Sequence, residues 1–545
     1  MFRFGPYITL LIVILPIIFG VGWNFFLALE GSAVLKVFRT PGFVKSVILS
    51  LFIACASTAL SFAFAQGVLI LLIRWGFLDF LRGILAPLIA LPHAALAVGF
   101  AFLIAPSGWL IRLFSPWATG FERPPSFITL NDELGFTLIL GLVIKELPYL
   151  LLMSLSGLSA LPWRNWLKMG IALGHSPASA WFRLVMPQLF PALRLPLLII
   201  FAFSLSVVDM ALVLGPQSPP PLAVLALRWF GDSNLAMRPL GAGVGVLLFL
   251  IVLACIALWL LSAKGVRQTL ISWMVRKKGF PFSDYLLGIL GLSILGGGCL
   301  ALIPLGLWSV ARQWRFPDAW PAHFSLRTWI YNGSELLTLM NKTLLIAGLS
   351  LSIALSLTLL CLECERRYGF RKALSSYLPL IYLPLIVPQP SFLFGIQIMG
   401  FQTGLAGSLL FVVLGHTLFV LPYLYLSLLG PYRMLDPRYC QIAQNLGHSP
   451  NKQFIMIVLP LLLPAILLAT AIGLAVSVAL YLPTLLLGLG QWSSLTTEAV
   501  ALASGGNRRI LAVTAFLQAI LPMLGFWFAL FVPKWLYANK KGILP

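Results

Sequence analysis

Five polar side chains stand inside apolar runs of this sequence, where an ionisable or strongly polar group is costly enough to need a functional or structural reason. Lys145 and Glu146 adjoin about midway along one run, and Asp209 lies toward the outer end of the next. Neighbours on a helix point about 100° apart, so Lys145 and Glu146 face different surroundings. Two chemistries fit them: lining a polar route for a solute, or pairing to order a helix bundle. His93 and Gln389 each follow a helix-bending proline, Pro92 and Pro388. They fit either a central route or hydrogen bonding to backbone groups that the prolines free. Catalysis and metal binding find no constellation. The five histidines are scattered singly, and CLEC at 361–364 has metal-like spacing with no second pair, so it reads as a small-residue helix end. No GxxxxGK[ST] phosphate loop is present, and GGNRR at 505–509 lacks its lysine and spacing. The chain is therefore expected not to be an enzyme and to bind no cofactor or metal of its own.

The elements that position these residues follow from composition. With 545 residues, 60% hydrophobic and 9% charged, the chain holds more apolar side chain than a soluble core buries. Runs of about 20 apolar residues, enough to cross a bilayer as helix, recur along the whole length. Twelve are predicted, near 8–28, 45–73, 84–105, 134–158, 190–213 and 240–262, then near 285–309, 343–363, 376–399, 405–430, 457–488 and 509–533. The fold class is all-α, a polytopic membrane protein. The net charge of +21 is distributed by side. With both termini in the cytoplasm, most of the Lys and Arg fall in cytoplasmic segments, among them Arg74, Arg82, Lys264, Arg267, Arg276, Lys277, Lys278, Arg366, Arg367, Arg371, Lys372, Lys540 and Lys541. Those cations are expected to hold topology and touch anionic membrane lipid, with no nucleic acid as partner.

LGHSP occurs at 173–177 and again at 446–450, 273 positions apart. The repeat is wider: ELPYLLLMSLSGL at 146–158 resembles VLPYLYLSLLGPY at 420–432, and Gly215 answers Gly488. Earlier in each half Lys45-Ser46 matches Lys342-Thr343, and Pro92-His93 and Gly99 match Pro388-Gln389 and Gly395, at a larger offset. One insertion around 115–127 reconciles the offsets. The halves are predicted as residues 1–262 and 285–545, six helices each in parallel orientation, joined by a basic cytoplasmic linker at 263–284. Each LGHSP sits in a cytoplasmic loop between the fourth and fifth spans, over 164–187 and 436–460. Gly174 and Gly447 can end a helix in the left-handed conformation. Ser176 and Ser449 can cap the next helix, whose first position suits Pro177 and Pro450. Trp181 and Phe454 begin an apolar helical face that runs to Pro187 and Pro460, a short helix shaped to lie in a groove of another protein. His175 and His448 read as exposed turn residues.

These spacings resemble the EAA loop of ATP-binding-cassette importer permeases: EAA, three residues, Gly, then nine residues before I-x-L-P. The copies read KMGIALGHSPASAWFRLVMP (168–187) and QIAQNLGHSPNKQFIMIVLP (441–460). The glycine and terminal proline match in both, and Ile457 and Leu459 match outright. Lys168 and Gln441 replace the acidic first residue, which removes a carboxylate, and of the two alanines only Ala443 survives. With two six-span halves in one polypeptide, the whole chain is similar to the fused permeases of the ferric-iron and thiamine importers. The resemblance implies a bacterial inner-membrane permease whose loops dock two copies of a cytoplasmic ABC ATPase subunit, with ATP used by that partner and solute delivered by an extracytoplasmic binding protein. It assigns ATPase coupling to Gly174, Ser176, Pro177, Trp181, Pro187, Gly447, Ser449, Pro450, Phe454 and Pro460. His93, Gln389, Glu146, Lys145 and Asp209 are the pathway candidates. Their mixed charge leaves iron, thiamine, an oxyanion and a polyamine open. The competing reading is a secondary transporter with two six-helix halves. Its GxxxDRxGRR loop would be expected near RWGFLDFLRG at 74–83, where only Asp79 and Arg82 answer it.

Overall fold

The computed structural model describes residues 5–30, 33–78, 81, 85, 88–276, 283–368 and 380–536. Apart from a two-stranded antiparallel ribbon, Ala311–Gln313 with His323–Phe324, its regular structure is helical. Among the described residues, eleven helical stretches are long and apolar enough to cross a membrane. The first half comprises α1 (Gly5–Leu29), α2 (Phe43–Trp75), α3 (His93–Ile104), α4 (Phe136–Ser159), α5 (Trp163–Ala172), α6 (Pro177–Ala180), α7 (Met186–Ser206), α8 (Asp209–Leu214), α9 (Leu222–Phe230) and α10 (Arg238–Arg276). The second comprises α11 (Ser283–Leu300), α12 (Leu302–Val310), α13 (Gly333–Tyr368), α14 (Pro390–Thr403), α15 (Leu409–Met434), α16 (Arg438–Asn445), α17 (Pro450–Gln453), α18 (Leu459–Ala479), α19 (Leu482–Gly488), α20 (Leu495–Ala503) and α21 (Arg508–Leu536).

Of the twelve expected spans the ninth, 376–399, has no counterpart among these eleven. Residues 376–379 lie outside the described residues, and α14 is only 14 residues long. It starts late because Val387 is extended, with ψ 126°, before the Pro388-Gln389-Pro390 sequence. Proline donates no backbone hydrogen bond and disfavours helix at the residue before it. Pro92 is extended in the same way, with ψ 145°, and α3 starts at His93. The fifth spans break in step too: Val207 (ψ 134°) separates α7 from α8, and Leu480 (ψ 114°) separates α18 from α19. The predicted 263–284 linker is largely a helical extension, since α10 continues to Arg276. Of the topology cations, Arg82, Lys277, Lys278, Arg371, Lys372, Lys540 and Lys541 lie outside the described residues.

Packing crosses between the two sequence halves. α1 lies along α14, and α11 lies along α2. Both contacts are backbone-close because glycines meet there. A Cβ on Gly20 would collide with the carbonyl oxygen of Phe392, and one on Gly395 with that of Gly20. Gly67 and Gly288 stand in the same relation at the α2–α11 contact. Without water to separate helices, small residues that let backbones approach are the main source of association in a bilayer. Asn24 adds a polar tie, donating from Nδ2 to the carbonyls of Pro390 (3.0 Å) and Ser391 (2.7 Å). The segment between α3 and α4, at the other end of α4 from LGHSP, also crosses between the halves. Arg112 Nη1 donates to the carbonyl of Arg315 at 2.7 Å, and Trp109 Nε1 to that of Ala319 at 3.1 Å.

Candidate functional site

Both LGHSP segments fold identically. Gly174 and Gly447 have φ of 83° and 80°, the left-handed conformation that glycine adopts without a Cβ penalty. The amide of His175 donates to Gly170 O (3.1 Å) and that of Gly174 to Ile171 O (2.9 Å). In the second copy His448 donates to Ala443 O (3.0 Å) and Gly447 to Gln444 O (2.9 Å), so each helix ends in a Schellman motif. Ser176 Oγ then accepts from Ser179 N at 3.2 Å, and Ser449 Oγ from Lys452 N at 3.4 Å. Pro177 and Pro450 take the first helical positions.

Beyond these caps the chain departs from the expected short helix. α6 runs through a π-helical turn, Trp181–Val185, straight into α7, and α17 runs through Phe454–Val458 into α18. The prolines at 187 and 460 cause this rather than ending the helix. Each lacks an N–H, and its ring would clash with the carbonyl four residues back; the wider turn accommodates the ring and lets the helix continue. Trp181 is consequently buried, with Nε1 donating to Gln66 Oε1 of α2 at 3.2 Å, and Phe454 is half-buried. These two side chains fasten their segments to the bundle. Ile455 and Met456 of the second π-helical turn are exposed, and in both copies further apolar side chains turn outward one helix earlier. Met169 and Leu173 in the first copy, and Ile442 and Leu446 in the second, are exposed pairs four residues apart, hence on one helix face. The sequence reading missed them, although they hold equivalent places in the repeat.

The intramembrane candidates converge only in part. Lys145 Nζ donates to the carbonyls of Ile89 (2.9 Å) and Leu91 (2.5 Å), the groups left bare where the chain breaks before Pro92. It also lies within electrostatic reach of Glu146, Asp209 and His93. The His93 ring packs on Phe203 with centroids 4.7 Å apart. Glu146 is buried, and among the described residues no hydrogen bond reaches it. Its neighbours include Tyr149 and Tyr423, the tyrosines of the duplicated LPY, which also interact with each other across the halves. Tyr481 joins the group beside Asp209. Lys145, His93, Tyr149, Tyr423 and Tyr481 are half-buried. Gln389 is half-buried at the start of α14, with no described hydrogen bond to this group. His416 is a structural residue: its Nδ1 meets Ser477 Oγ at 2.8 Å and its Nε2 meets Thr484 Oγ1 at 2.9 Å. Among the described residues no group of three or more His, Cys, Asp and Glu is arranged to hold a metal.

No family model matches the chain. It is, however, 33% identical over 468 residues to the inner membrane ABC transporter permease protein YnjC of Escherichia coli (strain K12), which covers 84% of this chain and 81% of that relative. This chain belongs to the ABC transporter permeases. The permease is accordingly a multi-pass inner-membrane transport protein.

Proposed function

We propose that the permease forms the translocation pathway of an ATP-binding-cassette importer, with each LGHSP segment seated in one of two copies of a cytoplasmic ATPase subunit. The observation that carries this reading is the pair of matching apolar faces, Met169 with Leu173 and Ile442 with Leu446, exposed at the tips of two identically capped segments. Exposed apolar pairs presented twice suit a partner that is itself present twice. Both termini are cytoplasmic, an extracytoplasmic binding protein delivers the solute, and the ATPase subunits supply all ATP chemistry. Solute passes between the halves beside Lys145, Glu146, Asp209 and His93, with Tyr149 and Tyr423 on either side. The fused two-half chain and its EAA-type spacing support a place near the ferric-iron and thiamine importer permeases.

The test uses a tagged full-length permease extracted gently from its own membrane. Leu173→Asp or Leu446→Asp should each lower the recovered phosphate-loop ATPase roughly tenfold, since a buried leucine side chain contributes about 1.5–3 kcal/mol. The double variant should recover none while still inserting. Undiminished ATPase on the double variant would remove these segments as the docking sites.

A further inference from the structure

The first LGHSP segment borders a cleft lined by Ile70 and Ile73 of α2, Leu167 and Ile171 of α5, and Pro177 and Trp181, with Arg74 as its charged member. Arg74 is exposed in the last turn of α2. Its guanidinium stands over the Tyr285 ring of α11, 4.6 Å from the centroid, and no described carboxylate pairs with it. Trp75 and Phe77 beside it are exposed. Tryptophan and tyrosine next to a basic residue at the end of an apolar span are the chemistry of the headgroup level of a bilayer. The surroundings supply cations without anions. Stretches 31–78 and 147–208, which hold every residue named in the lining, contain no Asp or Glu at all, whereas Arg164 and Lys168 of α5 are exposed. Arg164, Leu167 and Ile171 lie within about 60° of one another around α5, at 100° per residue. Met169 and Leu173, each two residues further on, lie about 160° round the helix from Leu167 and Ile171. The cleft therefore turns the opposite way from the pair offered to the ATPase.

We propose that this cleft binds one anionic phospholipid, its headgroup phosphate on Arg74 and an acyl chain along Ile70, Ile73, Leu167 and Ile171, so that the lipid becomes part of the joint between the first LGHSP segment and α2. A guanidinium holds a phosphate through two parallel N–H bonds. Apolar walls accept an acyl chain and penalise a hydrated anion that brings none. The negative charge missing from both acid-free stretches is what the headgroup supplies. The lipid site stands on the permease alone, and only its effect on coupling rests on the docking reading.

Native mass spectrometry of the full-length permease tests it, after exchange in detergent against equal amounts of dioleoyl phosphatidylglycerol and dioleoyl phosphatidylcholine. The wild type should retain one phosphatidylglycerol in preference to phosphatidylcholine. Arg74→Gln should lower that preference about fivefold, the loss expected of one cation near a headgroup. Arg438→Gln removes an exposed cation of α16 in the other half and should leave the preference unchanged. Ile171→Trp, at an exposed position, should obstruct the cleft with Arg74 intact and also reduce retention, which keeps the test decisive if Arg74→Gln fails to fold. Equal retention of the two lipids by the wild type, or equal loss in Arg74→Gln and Arg438→Gln, would overturn the site. Release of the bound lipid on adding the ATPase subunit would give the cleft to that partner and overturn it too. Failure of wild-type permease to recover an ATPase would instead strike the docking reading and leave the lipid comparison as it stands.

Discussion

The ammonium of Lys145 gives its hydrogens to the Ile89 and Leu91 carbonyls, so its first task is to satisfy backbone that Pro92 has freed. Lys145→Met would strand two carbonyls away from water at about 1–3 kcal/mol each; the thermal midpoint of the permease in detergent should fall accordingly. Glu146 has no such bond among the described residues, and a buried carboxylate without close partners costs stability. Glu146→Gln should therefore leave that midpoint unchanged or raise it. At Gly447 a Cβ would meet nothing within 4 Å, and the obstacle is the positive φ alone. Gly447→Val, β-branched in the left-handed region, should cost about 1–2 kcal/mol locally and reduce recovered ATPase without preventing insertion. The turn chemistry at this residue was legible because Gly, Ser and Pro have specific backbone uses at fixed offsets. The division of labour between Lys145 and Glu146 was not, because adjacency gives their angle apart and says nothing of what each side faces.

Helices of this permease are interrupted at matching places in its two halves, and the break before Pro92 leaves carbonyls that Lys145 meets. The breaks at Pro92 and Pro388 are readable as bends from the prolines. Those near Val207 and Leu480 carry no proline at the break itself in either half, and hydropathy runs straight through them. The π-turns mislead in the other direction: Pro187 and Pro460 have the look of helix ends, yet a wider turn carries the helix past each ring. Helix contacts follow glycine positions that periodicity cannot separate from other glycines. Gly395→Val should prevent α14 from seating on α1, whereas Gly22→Val, with open space around its Cβ position, should be neutral. Monodisperse yield on size-exclusion chromatography in detergent would distinguish the two, and equal yields would contradict the close-approach account.

At the scale of the whole permease, the covalent halves and the packing units are not the same. The matching sequence stretches suggest a duplication, but no local pattern announces that α1 packs on α14 as well as on α10 of its own half, or that α11 lies on α2. Exchange of first helices makes each half incomplete alone. Chains ending at 276 and starting at 283 should co-purify when expressed together, and each should aggregate when expressed singly. The polar group is lopsided at the same scale. Phe419, Val420 and Leu482 stand where the first half has Lys145, Glu146 and Asp209, while the LPY tyrosines come one from each half. The measurement that bears most directly on the central claim places a photo-crosslinking residue at Leu173 and, separately, at Leu446, and identifies what each captures in native membranes. The account predicts the same phosphate-loop ATPase at both positions. Capture of no ATPase at either, with solute accumulation driven by an ion gradient in the absence of ATP, would contradict it.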